Sequence, residues 1–167
     1  MEAIRTRLIN LVALSADYCG TVENCREVEL KDLVERLLGL LSRIYYEFHD
    51  IDGGDNDSLD DWGIGVSAHL DEEQYENVRI QLAATFGEED TYLETFEKDM
   101  KYSDTPIATT ISENLADIYQ PLYDFVVEVR ESDGENLEEA YRACKDGFRE
   151  YWSQTLCNVM RALNAIT

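Results

Sequence analysis

Apolar residues recur along this chain at intervals of three and four, the period of one face of a helix. No run alternates strictly between apolar and polar, as a half-buried strand does. The first predicted helix spans Glu2 to about Cys19, with Ile4, Leu8, Leu11, Val12 and Leu14 in phase and Gly20 at its end. Thr21–Glu27 is a short connection. A second helix is predicted from Val28 to His49, on a wide stripe from Leu30 through Leu37 and Leu41 to Phe48. Asp50–Asp61 is a loop, and Trp62–Ser67 closes it.

A third helix is expected from Ala68 to Phe86. Asp71 with Gln74 resembles a capping box that starts its regular part, and Gly87 ends it. Glu88–Met100 reads as a shorter helix with Tyr92, Leu93, Phe96 and Met100 inward. After a break at Lys101–Thr105, Pro106 suits a first helical turn, with Ser103, Asp104 and Thr105 as cap candidates.

The C-terminal part is the most regular. Ile111, Leu115, Ile118, Leu122, Phe125 and Val129 form one seam. Pro121 lies inside it and predicts a bend near Asp117 without a stop, because the apolar register continues. Ser132-Asp133-Gly134 marks a turn. The last helix follows from about Leu137 to Ile166, with Tyr141, Cys144, Phe148, Trp152, Leu156, Val159 and Leu163 in phase. The fold class is all-α: one domain over residues 1–167, a bundle of five to six helices with a long C-terminal helical hairpin.

Charge narrows the function classes. The net charge is −22, from 36 acidic against 14 basic residues. Such a field repels nucleic acid and anionic lipid, so neither is an expected partner. The chain shows no signal peptide and no apolar run of membrane-spanning length, which predicts a soluble cytoplasmic protein. Its four cysteines show no metal spacing. Cys144 and Cys157 lie too far apart on one helix for a disulfide, and Cys19 and Cys25 could meet across a turn, although packed thiols fit a cytosolic chain.

Candidate chemistry is sparse. Asp50–Asp61 holds six aspartates in twelve residues, yet no register fits a calcium loop: from Asp50, position 6 is Asp55 where glycine is required. The two histidines, His49 and His69, lie in no nucleophilic motif. Carboxylates three or four apart on helices (Glu73/Glu76, Glu94/Glu97, Glu113/Asp117) are the residue type that holds magnesium in helical pyrophosphohydrolases. However, Glu113, Asp117, Gln120, Asp124 and Glu128 continue one polar stripe opposite the seam, which predicts contact with water.

Arg142, Lys145 and Arg149 form a basic cluster whose simplest role is pairing within the helix, Arg142 with Glu138 or Asp146. If the two last helices are antiparallel, Asp117 lies level with Arg149, and an ion pair across the hairpin is expected. Tyr119, Tyr151 and Trp152 share that level. Together with Arg161 they make the candidate binding patch: Asp117, Tyr119, Arg149, Tyr151, Trp152 and Arg161.

These stretches also carry a resemblance. Asp99–Phe125, with its Asp117-Ile118-Tyr119 core, and Phe148–Ile166, with Trp152 ahead of Arg161-Ala162-Leu163, resemble the bacterial domain-of-unknown-function family 5063. Glu72–Phe96 follows more weakly. The family pattern commonly has a polar residue where this chain has Pro121, and often a histidine where it has Asn164. The resemblance implies a bacterial, cytoplasmic, all-helical protein and supplies no activity.

By elimination, the leading expectation is a helical interaction or adaptor protein whose partner is another protein or a second copy, with no cofactor, catalytic residue or metal ligand assigned. The alternatives are a divalent-metal-dependent hydrolase using the helical carboxylates, and an acidic decoy for a basic protein.

Overall fold

The computed structural model describes residues 2–53, 68–94 and 107–166. The order is α1 (Glu2–Glu23), a 3-10 turn (Cys25–Glu27), α2 (Leu30–Asp50), α3 (Glu72–Phe86), a 3-10 turn (Gly87–Asp90), β1 (Thr91–Glu94), β2 (Ile107–Thr110), α4 (Ile111–Glu131), α5 (Leu137–Gly147), a π-helical turn (Phe148–Trp152) and α6 (Ser153–Asn164). The all-α bundle with its C-terminal hairpin is therefore the observed architecture, with one small ribbon added.

α4 is the central helix. It packs against α1, α3, α5 and α6, and β2 leads into it. Its seam residues Ile111, Leu115, Ile118, Leu122 and Phe125 are buried in phase with the predicted stripe. α2 lies across α1 and α6. Phe48 of α2 joins the layers: its ring stands 6.1 Å from Phe125, 5.6 Å from Tyr141, 5.6 Å from Phe148 and 5.0 Å from Trp152.

Local chemistry explains where the helices begin and end. α1 runs through Gly20, one turn beyond the predicted stop. Glycine in a helix interior costs about 1 kcal/mol. The extra turn buries Val22 completely, and burying an aliphatic side chain of that size returns about 1.5–3 kcal/mol. α3 starts at Glu72 and not at Ala68, on the cap predicted for its regular part: the Asp71 carboxylate accepts the Gln74 backbone N–H at 2.7 Å. It ends at Gly87, whose φ of 57° favours a residue without Cβ.

Two expectations fail between α3 and α4. In its described part, Glu88–Glu94, the helix predicted over Glu88–Met100 is instead a 3-10 turn and a strand, and the helix expected just after Pro106 begins only at Ile111. β1 and β2 pair antiparallel, Thr91 with Thr110 and Glu94 with Ile107. The β-branched Thr91, Ile107, Thr109 and Thr110 suit a strand. Phe96, Met100, Ser103, Asp104, Thr105 and Pro106 lie outside the described residues. α4 is capped by Thr110, whose hydroxyl accepts the Glu113 N–H at 3.2 Å. The buried Asp90 reaches the same terminus, accepting the Ser112 backbone N–H at 2.7 Å and its hydroxyl at 2.8 Å. A carboxylate suits that position because the helix N-terminus is positive.

α4 continues through Pro121 to Glu131, and the chain then reverses at Ser132–Asn136. Asp133 and Gly134 adopt positive φ there, 52° and 81°, and the Gly134 N–H returns to the Val129 carbonyl at 2.9 Å. The predicted single last helix is continuous, but its middle, Phe148–Trp152, is π-helical.

Candidate functional site

The polar stripe on α4 does not simply face water. It docks the segment leading into α3. Asp124 Oδ1 accepts the backbone N–H of His69 at 2.8 Å and of Leu70 at 2.9 Å. Glu128 meets the His69 ring Nε2 at 2.7 Å with one oxygen, and accepts from the Asn136 amide at 2.7 Å with the other. Asp117 accepts the Tyr75 hydroxyl at 2.5 Å. The expected contact with water holds at Glu113, Asp117 and Gln120, which are exposed, while Asp124 and Glu128 are half-buried under the docked segment. The carboxylates sit on the helix face opposite the apolar seam; their partners come from the segment before α3 (His69, Leu70), from α3 itself (Tyr75) and from the turn after α4 (Asn136).

His69 is the titratable base of this clasp. The hydrogen bond to Glu128 is the main influence raising its pKa. Burial opposes it, and the charges of Glu131, Glu128 and Asp124 add to the rise. A folded-state pKa above the unfolded value near 6.5 means that the contribution is fully present below about pH 6.5. It is lost as pH rises through the folded value. Urea unfolding between about pH 6 and 9 should therefore show stability falling with pH, and His69→Gln should flatten that slope. An unchanged slope in the variant would place the titration elsewhere.

Next to the clasp, Tyr119 is fully buried. Its hydroxyl accepts from the Gln74 side chain at 2.9 Å and donates to Glu23 at 3.2 Å, joining α4 to α3 and α1. Burial pushes its phenol well above the ordinary range, and Glu23 adds to this. Outside Tyr119, α3 and α4 leave an open recess of about 420 Å³, lined by Leu70, Asp71, Glu72, Tyr75, Glu76, Asp117 and Gln120. Desolvation raises the Asp117 carboxyl above its usual value. The Tyr75 hydrogen bond opposes this and Glu113 reinforces it.

The six patch residues predicted from the sequence do not converge. Asp117 and Tyr119 sit at the α3–α4 interface. Arg149 is exposed on the π-helical turn, beside Lys145, whose pKa its charge helps to lower. Among the described residues Asp117 meets Tyr75, not Arg149, so the expected cross-hairpin ion pair is not formed. Tyr151 is 72% exposed, whereas Trp152 is 4% exposed and belongs to the core around Phe48. Arg161 donates to the Leu93 carbonyl at 2.7 Å and lies 6.0 Å from the Tyr92 ring, pinning β1 to α6. Counting along the hairpin gave each residue's height but not its direction around the axis.

Lys145, expected in a basic cluster with Arg142 and Arg149, is buried. Its amino group donates to the Ile51 carbonyl, which also receives the Tyr141 hydroxyl at 2.6 Å. Burial, then the charge of Arg149, lower its pKa. The pair caps the exit of α2. An i, i+4 Tyr–Lys spacing facing the core is the one signal in the sequence that could have indicated it.

Among the described residues, no group of three His, Cys, Asp or Glu side chains is close enough to hold a metal ion. Glu76 pairs with Arg79 at 2.7 Å. The side chains of Glu94 and Glu97, and loop residues 54–61, lie outside the described residues. All four thiols are free, so Cys19 and Cys25 do not form a disulfide. Cys25 instead contacts the Thr85 hydroxyl at 3.5 Å. Burial pushes Cys19 and Cys144 far above the ordinary thiol range.

This architecture is an acidic helical bundle whose central helix carries a carboxylate clasp. The profile of the family described as "Domain of unknown function (DUF5063)" matches residues 2–167, and the chain belongs to that family. Its fold is similar to the crystal structure of protein BF1032 from Bacteroides fragilis, with 28% sequence identity and a TM-score of 0.78 over 96% of this chain and 92% of that one. No curated protein matches the chain. Among the described residues no helix is long and apolar enough to cross a membrane.

Proposed function

We propose that this chain is a soluble, cytoplasmic, single-domain interaction module that docks a basic segment of another protein over the α3–α4 recess. The observation that carries this reading is the recess itself, where Asp71, Glu72, Glu76 and Asp117 converge around Tyr75. Asp117 is solvent-exposed on its outer side despite its bond to Tyr75. A tyrosine ring within a carboxylate rim is a surface on which an arginine or lysine side chain can stack and pair. The net charge of −22 supports the same partner chemistry, because it steers cations toward the molecule.

Each exposed ion pair contributes only about 0.2–1 kcal/mol, so the complex relies on several pairs and is salt-sensitive. The test is fluorescence anisotropy with a short arginine- and lysine-rich peptide. Glu72→Gln, Glu76→Gln and Asp117→Asn combined should weaken binding about tenfold. Neutralising Glu35, Glu138 and Glu139 removes the same charge elsewhere and should weaken it less than about twofold. Equal losses would mean that only net charge is read, as in the decoy alternative. The metal-hydrolase alternative is tested by thermal shift with magnesium, manganese and calcium. An ion at 100 times its Kd adds about 2.7 kcal/mol, and the interaction reading predicts no such rise.

A further inference from the structure

A second concave surface lies on the other side of the bundle, between α1 and α2. The two helices run antiparallel and are tied at both ends by ion pairs. Arg7 meets Glu47 at 2.9 Å and Asp50 at 3.0 Å at one end, and Arg36 meets Asp17 at 2.6 Å at the other. Between these ties the helices leave a groove of about 370 Å³. That volume falls in the range of small-molecule sites, about 300–1,000 Å³.

The composition of the groove is unlike the rest of this acidic surface. Leu11 and Leu14 line its apolar side, and Tyr46, 57% exposed, forms a rim. Asn10, Ser42 and Arg43 supply polar groups. Arg7 and Glu47 also border it, but Arg7 is engaged by both Glu47 and Asp50 and has no free charge to offer. Arg43 differs. Its Nε donates to the Gly39 carbonyl at 3.3 Å, and among the described residues no carboxylate lies within ion-pair distance of it. A guanidinium in that state has donors left for a planar, bidentate acceptor.

We propose that this groove binds a small amphipathic carboxylate, its acid group on Arg43 and its apolar body against Leu11, Leu14 and Tyr46. One guanidinium matches one carboxylate. A multiply charged anion would instead leave charge uncompensated within the field of a chain at −22. At physiological ionic strength that field is screened beyond about 8 Å, so a single negative charge held directly on Arg43 is tolerated.

The test is an amide-resolved NMR titration of the full chain with octanoate at about 0.15 M salt, beside octanol and octylammonium as neutral and cationic probes of equal length. Octanoate should give saturable shifts confined to residues 7–14 and 42–47. Octanol and octylammonium should bind at least about tenfold more weakly. Arg43→Gln, at an exposed position, should leave the melting temperature unchanged and reduce octanoate to the affinity of octanol. Arg36→Gln should leave octanoate binding intact. The proposal is overturned by equal affinities for octanoate and octanol, by shifts centred elsewhere, by no saturable shifts, or by full octanoate affinity in Arg43→Gln.

Discussion

Replacing Trp152 with alanine is expected to lower the unfolding free energy by about 3–5 kcal/mol. The indole is 4% exposed and meets Phe48 and Phe148 edge-on at 5.0 and 4.8 Å. Truncation opens a cavity where α2 meets the π-helical turn, and the surrounding rings cannot all close over it. The denaturation midpoint, followed by circular dichroism, should fall at an unchanged denaturant slope. Trp152→Phe should cost well under half as much. It keeps an aromatic ring and removes the buried indole N–H, which among the described residues has no hydrogen-bond partner. An unpaired buried donor carries a penalty of about 1–3 kcal/mol, and its removal offsets part of the lost volume. A loss below about 1 kcal/mol for the alanine variant would contradict the placement of Trp152 in the core.

The second large effect belongs to Asp124. One carboxylate oxygen accepts two backbone N–H groups, from His69 and Leu70, and so fixes the segment entering α3. Asp124→Ala leaves both donors without that acceptor and should cost about 1.5–3 kcal/mol, the range for hydrogen bonds to a charged group. Asp124→Asn retains an acceptor oxygen and should lose about half of that. The specific reading is hydrogen exchange: the His69 and Leu70 amides should exchange faster in the alanine variant, while those of α6 change only with global stability. Unchanged exchange at His69 and Leu70 would show that Asp124 does not hold the segment.

These two residues also show what can be read from sequence. The seam of α4, the Asp71–Gln74 cap and the turn at Asp133-Gly134 all depend on neighbours within a few positions, and all were legible. Asp124 and His69 are 55 positions apart, and nothing in the sequence marks them as partners. Tyr92 and Leu93 fit a helical spacing by coincidence, because a strand of four residues is too short to display its own period. Gly20 signalled a stop that burial of Val22 overrode. Trp152 was legible as aromatic and in phase with the core. Grouping it with Tyr151 and Arg149 ignored direction around the helix axis, so the core residue and its exposed neighbours were assigned to one patch.

The α4 stripe therefore has two sides. Its inward bonds through Asp117, Asp124 and Glu128 hold the entry to α3. Its outward side, together with Asp71, Glu72 and Glu76, forms the recess assigned to a basic partner. The same carboxylate does both at Asp117, where Tyr75 occupies one oxygen.

The central claim is tested most directly by amide-resolved NMR with the arginine- and lysine-rich peptide. The account predicts saturable shifts clustered on residues 70–76 and 117–120, reached only at about tenfold higher peptide concentration in the combined Glu72→Gln, Glu76→Gln, Asp117→Asn variant, with the α1–α2 groove silent. Shifts scattered over every acidic face, or centred away from α3 and α4, would contradict it.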